Sequence, residues 1–159
     1  YLDLLYKIFF ISVLLVLTLT DLKKTIIPYR VVKPAIIFSL LFLFTTSLPN
    51  LSSFLESLLA AGLIGGFFSL LIIITKGRGM GGGDVKLGVL MGLGLGFSNG
   101  ILAIFLAFFS GAAVSLLLII FGKKHFKSSI PFGPFLVIGA LVSLFWGSRI
   151  INWYLDNPF

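Results

Sequence analysis

Asp21 and Asp84 are the residues of this chain whose type and placement could do chemistry. Five acidic residues occur in all. Asp3 and Asp156 lie near the two ends and Glu56 falls in the loop-like stretch SLPNLSSFLES, so these three read as solvated. Asp21 follows a long apolar run, and Asp84 opens another inside GRGMGGGDVKLGVLMGLGLG. An ionisable group at the edge of a membrane-depth segment is costly and by default functional. Each aspartate also has a plain reading. Asp84 precedes a helical run, where a carboxylate caps orphan amides. Asp21 stands at a helix C-terminus, which disfavours an anion, with Lys23 and Lys24 to offset it. Brought together, two carboxyls cannot both ionise cheaply and would share a proton. The ionised member can then activate water while the protonated one polarises a peptide carbonyl. That is aspartic-peptidase chemistry, which needs no metal, cofactor or thiol.

Composition narrows the alternatives. Of 159 residues, 58% are hydrophobic and 11% charged, and the mean hydropathy is +1.17. A soluble domain carries about 25% charged residues, so most of this surface must face lipid. The absence of cysteine excludes disulfides, thiolate zinc sites and cysteine nucleophiles. A single histidine, His125, argues against a histidine-rich metal site or a Ser-His triad. No metal and no cofactor are expected. The net charge of +7 is scattered between apolar spans, which fits the positive-inside rule and membrane lipid as a partner rather than nucleic acid.

The elements that would position the aspartates are apolar segments at roughly 2–20, 31–48, 55–75, 85–97, 101–121 and 135–153. They predict an all-α, polytopic membrane bundle of about six transmembrane helices, forming one domain over 1–159. The fourth segment is short for a crossing of about 20 residues, so it must extend into its flanks or stop part-way. Lys23, Lys24, Arg30 and Lys33, then Lys76, Arg78 and Lys86, then Lys123, Lys124, His125 and Lys127 mark every second junction. The alternation predicts a multi-pass protein of the cytoplasmic (inner) membrane, with these junctions and both aspartates toward the cytoplasm. SLPNLSSFLES and GFSNG are the opposite loops. The chain begins at Tyr1 rather than Met, so upstream residues are expected to be trimmed or missing, and 2–20 reads as a span rather than a secretory signal. Nothing in the residues specifies an oligomeric state.

Glycine has two uses here. Gly88, Gly92 and Gly96 recur every four residues, as do Gly62 and Gly66 on the third span, and this spacing predicts small faces for close helix packing. Gly81 to Gly83 fall in the loop before Asp84, where they serve a tight turn or the close approach of a substrate strand. The GxGxxG match at Gly77–Gly82 lacks the strand and βαβ unit of a dinucleotide site. Lys86 is explained by the positive-inside rule, or by tuning Asp84. Trp146 and Trp153 fit an outer interfacial belt.

Gly81-Gly82-Gly83-Asp84-Val85-Lys86-Leu87 resembles the G-x-G-D-x-K-L signature of type IV prepilin peptidases, which are GxGD-type membrane aspartyl proteases. Asp21-Leu-Lys-Lys-Thr-Ile-Ile-Pro28, with Pro34 beyond, resembles the other aspartate motif of that family. The segment Ile130-Pro-Phe-Gly-Pro-Phe-Leu136 resembles a third family segment, before the last span. The matches occur in family order across most of the chain. The resemblance implies that Asp21 and Asp84 form a catalytic pair at the cytoplasmic face. It also implies cleavage of the basic leader of a pilin-like or pseudopilin precursor, usually after a glycine. Gly81, Gly83, Lys86 and Pro28 would shape the site or bind substrate. Bacterial members commonly add an N-terminal region with a cysteine-bearing segment and methylate the new N-terminus, and these residues give no support for methyl transfer. Tyr29-Arg30 departs from the small polar or acidic residues common after the proline. An archaeal-type preflagellin peptidase of the same chemistry is one alternative. A small transporter subunit with the aspartates as ion or proton ligands is another.

Overall fold

The computed structural model of the chain describes residues 1–47, 51–77, 80–121 and 131–156. Among them are five α-helices: α1 (Leu2–Lys24), α2 (Tyr29–Ser47), α3 (Leu51–Thr75), α4 (Gly82–Ile120) and α5 (Gly133–Asp156). All five are long and apolar enough to cross a membrane. The basic cluster at Lys123, Lys124, His125 and Lys127, together with Arg78, lies outside the described residues.

The predicted fourth and fifth spans form one element. At 39 residues, α4 would be about 58 Å long if straight, nearly twice the hydrocarbon thickness of about 30 Å. Gly96 breaks it, with φ 74° and ψ −172°. This is a region open essentially to glycine alone. The chain doubles back there. A Cβ on Gly100 would stand 3.9 Å from the Cα of Gly92, whereas eight residues of straight helix advance about 12 Å. Ile64 of α3 correspondingly touches the Cβ positions of both Gly88 and Gly100, each at 2.9 Å. Two arms, 82–95 and 97–120, therefore run side by side, and the six predicted rods are present. The first arm, about 21 Å long, stops part-way across. Two expectations change as a result. GFSNG is not a loop, because residues 97–100 are already helical, and Gly96 is the reversal rather than the third member of a packing face.

Packing follows small residues. Gly88 and Gly92 lie on α3, where a Cβ would stand 2.5 Å from the Phe68 ring and 2.5 Å from the Ala61 backbone, respectively. The partner glycine on α3 is Gly65, against Val89, and not Gly62 or Gly66, which meet nothing within 4 Å. Those two point away from the bundle because an α-helix turns 100° per residue, so one step decides which face a glycine serves. Ala103 and Ala107 of the second arm receive Gly139 of α5, and Ser143 of α5 donates to the Asn99 carbonyl at 2.6 Å. Glu56, expected in a loop, is an exposed residue within α3. Residues 51–57 are helical because the serines and leucines around Glu56 continue the α3 run.

Candidate active site

On α1 the buried residues are Tyr6, Phe10, Leu14, Leu17 and Asp21. Their steps of four, four, three and four residues trace a single helical stripe. Asp21 therefore occupies a core position in the last turn rather than a solvated place after it. The first arm of α4 does the same from its other end, with Asp84, Leu87, Gly88 and Met91 on its buried side. Because Phe10 of α1 packs on Gly94, the two helices are in lateral contact. From that contact Asp21 is 11 residues away along α1 and Asp84 is 10 residues away along α4, so both carboxylates reach the same level of the bundle. Asp21 is 5% and Asp84 8% exposed. Buried carboxylates of this kind need partners.

Local structure explains how each is held. Asp84 is the third residue of α4 and accepts from the Gly81 N–H at 3.1 Å, while the Gly81 carbonyl accepts the Asp84 N–H at 3.1 Å. Asp84 is thus not the N-cap expected from its place before the run, a position that Gly81 holds, but the third-residue partner of a reciprocal pair that occupies one carboxylate oxygen. α1 ends when the Thr25 N–H donates to the Asp21 carbonyl at 2.7 Å, with Thr25 in the left-handed region at φ 51°. That turn redirects the chain toward Pro28, whose carbonyl accepts the N–H groups of Val31 and Val32 and so opens α2.

The two aspartate motifs meet physically. Ile27, next to Pro28, lies on Gly83, where a Cβ would stand 2.7 Å from the Ile27 Cβ. Gly83 is therefore a close-approach glycine within the first turn of α4, not a loop residue. Of the other predicted residues, Gly81 orients Asp84 and Pro28 starts α2. Lys86 does not pair with a carboxylate among the described residues, and its Nζ stands 4.4 Å from the Tyr29 ring centroid.

Gly133 is a site residue that the motifs did not single out. Its N–H donates to Oδ2 of Asp21 at 3.0 Å, in a buried bond between residues 112 positions apart. A backbone donor has no side-chain signature, and the only sequence signal was its place in the IPFGP segment. A groove of about 400 Å³ lined by Ala60, Ile64, Phe67, Ile101, Phe105 and Phe108 opens between α3 and the second arm of α4. It contains neither aspartate and no ionisable group, so it is no rival site for hydrolysis.

Residues 8–116 match the model of the type IV leader peptidase family. The chain is 32% identical over 146 residues to a prepilin leader peptidase/N-methyltransferase of Aeromonas hydrophila, covering 91% of this chain and 50% of that protein. It is 32% identical over 157 residues to a protein of the same name from Bacillus subtilis, covering 97% of this chain and 60% of the relative. One from Legionella pneumophila is 37% identical over 89 residues, 56% of this chain and 31% of that protein. The chain thus spans about half the length of the curated relatives it matches. No solved structure matches it.

Proposed function

Because the chain belongs to the type IV leader peptidase family, we propose that it is a membrane aspartic endopeptidase that cuts the basic leader from pilin-like precursors at the cytoplasmic membrane face. The observation that carries this reading is the pair of buried carboxylates, Asp21 and Asp84, brought to one level of the bundle by different helices. Each has one oxygen held by a backbone N–H, from Gly133 and Gly81 respectively. In the proposed reaction one carboxylate takes a proton from water as the oxygen attacks the scissile carbonyl. The other, protonated, donates to the carbonyl oxygen. Collapse of the tetrahedral species breaks the C–N bond and returns a proton to the leaving amine. The new carboxyl ends the leader, and the new amine begins the mature protein.

The substrate's apolar segment would lie against the bundle in lipid while its leader approaches from the cytoplasm. Lysines do not attract a basic leader, so recognition leans on shape, the carboxylates and the hydrophobic segment. The basic junctions would contact anionic lipid instead. A preflagellin-type substrate would be cut by the same chemistry, and parallel assays with the two substrate classes separate these readings. Family membership favours a peptidase over a transporter subunit. Methyl transfer, which appears in the names of the relatives, forms no part of this proposal.

The test is cleavage of a prepilin-like substrate by the protein in lipid vesicles. Asp21→Asn and Asp84→Asn are each expected to lower the rate by at least about 10²–10⁴-fold, the range of a positioned acid or base. Wild-type turnover in either variant overturns the dyad.

A further inference from the structure

α5 contributes a third part of the site. The first N–H groups of a helix have no partner inside the helix, and in α5 this supply is smaller still because its second residue, Pro134, has no N–H. Gly133, the first residue of α5, spends its N–H on Asp21 Oδ2 at 3.0 Å. A donor at a helix N-terminus suits a carboxylate in both hydrogen bonding and dipole.

The approach requires glycine. A Cβ at position 133 would fall on Oδ2 of Asp21 and stand 3.0 Å from its Cγ. Nor is the turn free to retreat. Phe132 packs on Phe108 with ring centroids 5.0 Å apart and the rings tilted by 45°, and Phe68 lies edge-on beside it at 6.4 Å. The Phe132 carbonyl accepts the N–H groups of Phe135 and Leu136 at 3.0 and 3.2 Å, and Leu136 is fully buried. The aromatic cluster fixes Phe132, Phe132 fixes Gly133, and Gly133 fixes the carboxylate.

We infer that Gly133 is a positioning residue of the peptidase, its N–H setting the orientation of the Asp21 carboxylate and its missing side chain making room for it. This rests on the dyad reading above. Orientation matters because displacement of a reacting group by about 1 Å can cost about 10²-fold in rate.

Cleavage by wild type, Gly133→Ala, and a form with glycolic acid in place of Gly133 tests it. The glycolic acid form replaces the amide N–H by an ester oxygen and adds no volume, so it removes the donor while the fold persists. Gly111→Ala serves as a control, because its Cβ would meet Phe132 and Phe135 only in ordinary contact at 3.5 Å. We expect kcat to fall about 100-fold in Gly133→Ala and clearly in the ester form. KM should change little, and Gly111→Ala should cleave like wild type. In an Asp21→Asn background, Gly133→Ala should leave binding of a labelled, uncleaved prepilin-like peptide unchanged, because the residue acts through Asp21. Wild-type kcat in the ester form overturns the inference, as does a loss of peptide binding in the double variant that matches the loss of rate. Failure of the dyad itself is a different result, in which Asp21→Asn and Asp84→Asn run in the same assay also cleave at the wild-type rate.

Discussion

Gly92 sits on the backbone of Ala61, so close that a Cβ would stand 2.5 Å from both its N and its Cα. Backbone cannot move aside as the end of a side chain can. Gly92→Ala should therefore destabilise the bundle by about 1–3 kcal/mol, the range for overpacking. Gly62→Ala and Gly66→Ala, on faces that meet nothing, should leave stability equal or raise it by up to about 1 kcal/mol. Thermal unfolding in detergent micelles reads all three. Equal shifts for Gly92 and Gly62 would remove the assignment of the packing face.

Gly96 makes a sharper demand. Its φ of 74° with ψ of −172° is a combination that an L side chain enters only at about 1–3 kcal/mol. Space is not the obstacle, because a Cβ there would meet nothing nearer than Ser57 Oγ at 4.0 Å. Gly96→Ala is thus expected to lower the unfolding midpoint through backbone strain alone. Gly96→D-Ala, whose mirror-image preference suits positive φ, should restore it. If the L and D forms unfold together, strain is not what glycine relieves.

Capping and chemistry can be separated at Asp84. Its carboxylate accepts the Gly81 N–H, a role that an Asn side-chain carbonyl can also fill. Asp84→Asn should unfold near the wild-type temperature yet lose cleavage, whereas Asp84→Ala should also lose about 1 kcal/mol of stability. Equal stability in the two variants would mean that the cap contributes nothing.

Lys86 and Tyr29 tie the start of α4 to the start of α2 through a cation over a ring at 4.4 Å. A double-mutant cycle of Lys86→Met and Tyr29→Leu should give a coupling of about 0.5–1 kcal/mol, appropriate to a partly exposed pair. Lys33, at 5.8 Å from the same ring, should couple more weakly to Tyr29. A coupling of zero for Lys86 would return it to a purely topological charge.

Much of this architecture was legible because membrane spans are written in local hydropathy, and the two aspartates stood out as costly groups at span ends. The family motifs ordered them correctly. The misses share one physical cause, which is that spacing along a helix does not say what stands opposite. Gly62 and Gly66 repeat the spacing of Gly88 and Gly92, yet Gly65 is the glycine that faces α4. GFSNG has the composition of a loop, but one glycine in a left-handed conformation turns the chain without one. The tie between Lys86 and Tyr29 joins residues 57 positions apart, and the tie between Gly133 and Asp21 joins residues 112 apart. The second of these uses a backbone group that every residue but proline possesses.

The reversal at Gly96 has an effect on how this part of the protein can be reached. Two antiparallel rods joined by a single residue offer no tether, so nothing at that bend can extend into a protease cleft or carry an epitope out to an antibody. Phe97 and Ser98 are exposed beside the bend, but both already belong to the second rod. Limited digestion of the bilayer-embedded molecule is expected to leave the chain uncut between residues 95 and 97.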